Sequence, residues 1–117
     1  MGNNSKFAHI LKPDALENFY KIMSGEKKVI TKRDEKEWEA SYFAMCLLLP
    51  KKTFLEVINV FGGMEKVRAD FTLKQAIARL FYVEPKLVSI RINDLLEQQK
   101  DKNINKVLKN NISKQQN

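Results

Sequence analysis

A mostly α fold, of four or five helices with at most one short strand, is what the sequence predicts. Two observations carry that reading. Apolar residues recur at three- and four-residue steps through most of the first 97 positions, the period of helices that bury one face. Residues that start and stop helices (Asp, Thr, Pro and Gly) stand where those periodic stretches begin and end.

The first helix is expected from Asp14, with Pro13 before it and Glu17 placed three residues on to reach back in a capping box. Leu16, Phe19, Tyr20 and Met23 form its apolar stripe, and Ser24-Gly25 stops it. Lys27 to Thr31 (KKVIT) suits a short strand or an extended loop. A second helix is expected from Asp34, again with a Glu three residues later, Glu37. Between Trp38 and Leu49 it is apolar on nearly every side, the mark of a buried helix at the centre of the core, and Pro50 ends it. The third helix, about Lys52 to Phe61, puts Phe54, Val57, Ile58 and Phe61 on one face and closes at Gly62-Gly63. Met64 to Asp70 reads as a short helix or a connector. Thr72 and Gln75 then cap a helix carrying Leu73, Ala76, Ile77, Leu80 and Phe81. A tight turn at Tyr82 to Glu84 leads to Pro85, suited to the first position of a last helix that runs to about Glu97.

The 117 residues, 44% of them hydrophobic, have room for a single domain with one modest core. Residues 1–97 are expected to form that domain, with 1–12 as a stretch open to flexibility, and 98–117 a Lys/Asn/Gln-rich tail. The formal charge of +7 is unevenly spread: the tail holds five Lys and one Asp. Such a composition reads as a frayed, solvated terminus with one loose turn around Ile104 to Leu108. The longest apolar run, Tyr42 to Leu49, is far short of the ~20 residues of a membrane span. No apolar signal segment stands at the amino terminus, so a cytoplasmic protein with no membrane partner is expected. A lone Cys46 excludes an internal disulfide and a multi-Cys zinc site, and a lone His9 excludes HExxH, which needs two histidines.

Two segments resemble a known family. Glu37-Trp38-Glu39-Ala40-Ser41-Tyr42-Phe43-Ala44-Met45-Cys46-Leu47-Leu48-Leu49-Pro50 is similar to the E-x-E-A-N-x-F-A-x-x-L-L-M-P signature of the ImmA/IrrE metallopeptidases. Ala78, Val83, Glu84, Val88, Arg91 and Ile92 resemble that family's helix-turn-helix-like end, and the likeness covers roughly residues 34 to 96. The resemblance implies zinc held by two histidines of an HExxH helix and a later Glu, with the intervening Glu as general base. Glu39 would then stand at the third ligand position and His9 at the first. Ile10 stands where the base would be, and Pro13 where the second His would be. His9 and Glu39 are therefore vestigial candidates, and no catalytic residue, bound metal or other cofactor is expected.

The resemblance further implies a regulatory or inhibitory protein of a phage, plasmid or integrated element. Such a protein would bind a partner, a repressor for instance, without cutting it. Trp38, Tyr42 and Phe43 are the candidate partner-binding residues, and a homodimer is one way of covering such a surface. The alternative is a small basic DNA-binding regulator that uses the helix-turn-helix-like pair and the Lys-rich tail. Lys86, Ser89, Arg91 and Asn93 would then face DNA, with Glu84, Asp94 and Glu97 weakening their grip on phosphate.

Overall fold

The computed structural model describes residues 13–115, and side chains from 14 to 110. Among the described residues it contains six helices and no strand: α1 (Pro13–Met23), α2 (Lys32–Leu48), α3 (Lys51–Val60), α4 (Met64–Ala69), α5 (Phe71–Phe81) and α6 (Pro85–Gln115). The short strand allowed at Lys27 to Thr31 is a bend and an exposed extended link instead.

The helix starts obey side-chain chemistry, though not always at the expected residue. In α2 the cap is Thr31, whose hydroxyl accepts from the Asp34 N–H at 3.0 Å, while the Asp34 carboxylate accepts from the Thr31 N–H at 3.4 Å. Asp34 is thus the third helical residue of an upstream capping box, not the cap, and the helix begins two residues earlier than expected. Those bonds, the backbone N–H of Thr31 first, hold the Asp34 carboxyl below its ordinary range. In α5 the cap is Asp70, which accepts from the Leu73 N–H at 3.2 Å, so Thr72 lies inside the helix. In α1, Asp14 sits in the first turn, and Glu17 pairs with Lys86 of α6 rather than reaching back to a cap.

The helix ends follow glycine chemistry with one departure. Beyond α3, Gly62 has φ +112°, its N–H bonds to the Asn59 carbonyl, and the Gly63 N–H reaches the Ile58 carbonyl at 2.9 Å. This is a Schellman end. The same pair of bonds closes α5, Tyr82 N–H to Arg79 and Val83 N–H to Ala78, yet here the left-handed residue is Tyr82 at φ 57°.

The core draws on all six helices: Leu16 and Phe19 of α1, Met45 of α2, Phe54 and Ile58 of α3, Val67 of α4, Ile77 and Ala78 of α5, and Leu87, Val88, Ile92 and Leu95 of α6. The Phe54 and Phe81 rings meet at 5.9 Å. The expectation that α2 is buried on every side is corrected. Within the helix only Ser41, Ala44 and Met45 are buried, while Phe43 and Leu47 are 61% and 45% exposed. Apolar composition therefore overstates the burial of this helix.

The expected frayed tail is also corrected. Residues 98 to 115 continue α6 without a break, and every residue from Gln99 to Asn110 is exposed.

Candidate functional site

Between α1 and α2 lies a groove of about 530 Å³, lined by Ala15, Asn18, Phe19 and Ile22 on one side and Glu37, Trp38, Ala40 and Ser41 on the other, with Lys27 from the link. The α1 residues fall at helical steps, which makes one wall from a single face. Asn18 and Lys27 are tied to each other, the ammonium donating to the side-chain carbonyl at 2.7 Å. Trp38 donates its indole N–H toward the Met23 sulfur at 3.3 Å and stacks on Tyr42 at 5.2 Å, so its ring is held by both helices. The groove lining therefore mixes apolar side chains (Ala15, Phe19, Ile22 and Ala40) with Asn18, Ser41, one cation, one carboxylate and an aromatic edge.

Behind α2 a second set of polar groups staples that helix to α6. Arg91, buried to 4% exposure, donates from Nε to the Leu49 carbonyl at 3.0 Å and from Nη1 to Asp94 at 3.4 Å, with the Cys46 sulfur at 3.6 Å. No basic residue stands in the last turn of α2, so the guanidinium brings the cation that its carbonyl end favours. Asp94 also accepts from the Tyr42 hydroxyl at 2.7 Å and from Gln98 at 3.1 Å. Burial first, and then the bond to Asp94, push the Tyr42 phenol up to about 12. Every charge in this cluster has an internal partner, which makes it a fastening.

The residues singled out in the sequence fall into different places. Trp38 is half-buried on the groove, Tyr42 is half-buried in the fastening, and Phe43 is exposed on the outer side of α2. Glu39 is exposed, and His9 lies outside the described residues. Among the described residues no three His, Cys, Asp or Glu side chains gather closely enough to hold a metal. The donor set among the described residues does not fit a zinc centre.

Of the four residues considered for DNA, Lys86 is exposed but bonded to Glu17 and set 5.0 Å over the Tyr20 ring. The bond to Glu17 raises the Lys86 ammonium and lowers the Glu17 carboxyl from their ordinary values. Ser89 is half-buried and Asn93 exposed. Arg91 is corrected outright: a guanidinium buried against Leu49 and Asp94 has no path to a base edge. Sequence reasoning missed Asn18 and Lys27 in the groove, and Asp94 and Gln98 as Tyr42's partners. The three- and four-residue steps from Arg91 to Asp94 to Gln98 mark one helix face and were the available signal.

The family model described as IrrE N-terminal-like domain matches residues 7–93. That match spans most of the chain, and the chain belongs to this family of metallopeptidase-like domains. It reaches further toward the amino terminus than the motifs at residues 34 to 96, taking in His9 and all of α1. No curated protein and no solved structure matches the chain.

Proposed function

We propose that this chain is a non-catalytic member of its family, a regulatory or inhibitory protein of a mobile element that binds a protein partner in the groove between α1 and α2. A repressor is the candidate partner. The observation that carries the reading is the groove itself. One of its walls is α2, the helix that carries Glu39 and the E-x-E-A motif, and its lining offers Asn18, Lys27, Glu37 and Trp38 to a polypeptide. Ile10 and Pro13 meanwhile stand where a general base and a second histidine would be needed. A groove that mixes apolar and polar groups suits recognition, which needs shape and hydrogen bonds but no metal-bound water.

Trp38 is the only tryptophan in the chain, so its fluorescence reports on the groove directly. Titrating the protein with a repressor encoded beside its gene is expected to shift the Trp38 emission saturably. Ala40→Arg, which places a long side chain at an exposed groove position, should weaken that response at least about tenfold, or about 1.4 kcal/mol. An unchanged emission with no association would remove the binding reading. One zinc per chain together with cleavage of the repressor would remove the non-catalytic one.

A further inference from the structure

Helical order in the residues after Gln98 creates a charge arrangement that chain order hides. Lys102, Lys106 and Lys109 follow one another at steps of four and three, so they share one face of α6. Ile104, Val107 and Leu108 share the opposite face, each more than half exposed. Asp101 stands on the apolar side, and Glu97 pairs with Lys100 at 3.8 Å at the base of the arm, so no carboxylate interrupts the lysine face. None of these three lysines has an ion-pair or hydrogen-bond partner among the described residues. This part of the helix also lies beyond the segment that matches the family, which ends at residue 93.

We propose that the Lys102–Lys106–Lys109 face is a sequence-independent grip on the phosphate backbone of double-stranded DNA. The three ammonium-bearing positions are spaced about 6 Å and about 4.5 Å along the helix axis, a row of cations set against a polymer with one charge per ~1.7 Å of duplex. The face carries no apolar or aromatic anchor, which a protein interface needs at its centre. Residues 98–115 hold no aromatic side chain on which single-stranded bases could stack. A lipid surface is disfavoured by the poverty of the apolar stripe: Ile104, Val107 and Leu108 supply three aliphatic side chains and no aromatic anchor of the kind interfacial helices bury. Backbone attraction is left as the interaction that lysines alone can make. It needs none of the residues of the α1–α2 groove, so it stands or falls separately from the proposal made for that groove.

The test is binding of the full-length chain to a duplex of arbitrary sequence across a salt series, with the triple variant Lys102→Gln, Lys106→Gln, Lys109→Gln beside it. Three phosphate contacts contribute a log–log salt slope of about −2.7. The affinity advantage of the unmodified chain over the variant should therefore shrink about 40-fold between about 50 and about 200 mM salt. A triple Arg variant should keep the slope. Glutamine is a good helix former at exposed positions, so the circular dichroism and melting of the variant should match the parent. Equal slopes for parent and variant would overturn the proposal. So would no duplex binding at about 50 mM salt, or stronger binding to phosphatidylserine vesicles, to an RNA duplex or to a single strand than to the DNA duplex.

Discussion

At Tyr42 the phenol is half-buried and its proton is committed to Asp94, and that commitment has a consequence at high pH. The folded-state value, about 12, lies above the ordinary ~10 of an unfolded tyrosine. The folded protein therefore holds this proton more tightly, and the contribution to stability is complete below pH ~10. It is lost as the pH rises toward about 12, where the unfolded chain has already released its proton. Denaturant unfolding at a series of alkaline pH values should show stability falling through this window, with a smaller fall in Tyr42→Phe. The absorbance difference between parent and variant should report a tyrosinate forming near the upper end of the window. An identical alkaline profile in the two proteins would disprove the assignment. Tyr42 also marks a limit of sequence reading. Its aromatic character and its place in the E-x-E-A motif are visible in the chain, but its partner lies 52 positions away on another helix. A separation of 42 positions from Leu49 likewise hid the true role of Arg91, which reads as a solvent-facing cation until α2 and α6 are packed together.

Between α5 and α6 a single turn sets the angle of the last helix, and its left-handed residue is tyrosine. Tyr82 is 91% exposed, so its ring contributes no packing that would offset the backbone strain. A left-handed L-residue costs about 1–2 kcal/mol, while glycine there would restore about 0.4–1 kcal/mol of unfolded-state entropy. Tyr82→Gly should therefore stabilise the protein by about 0.5–1 kcal/mol, seen as a higher denaturant midpoint at an unchanged slope. A lower midpoint would mean that Tyr82 makes a contact of its own. The turn is legible in the sequence because Pro85 suits the first position of the next helix. The helix starts were less legible. Thr31-x-x-Asp34 and Asp34-x-x-Glu37 offer the same spacing of cap and acceptor, and only the folded chain shows which pair bonds. Asp70 and Thr72 compete in the same way, and the earlier residue caps because a helix gains length by starting there.

Across the molecule, a packed helical body and a long exposed arm behave as two different kinds of structure. The radius of gyration is 16.7 Å, above the about 13 Å expected of a compact chain of this length, and the longest dimension is 58 Å. Composition could not separate a solvated coil from a solvated helix for residues 98–117, since both are polar and lysine-rich. What distinguishes them is continuity with α6, which supplies a ready nucleus, so each added residue extends an existing helix at little cost. Because Gln99 to Asn110 are all exposed, the arm brings no buried surface to the core. A chain ended after Gln99 should keep its unfolding free energy within about 0.5 kcal/mol, lose helical circular dichroism and contract in small-angle scattering. A loss of about 2 kcal/mol or more would show that the arm folds back onto the body in solution. The result also bears on binding. If the body is unaffected, any duplex affinity that disappears with the truncation belongs to the arm, and any partner response at Trp38 that survives it belongs to the groove.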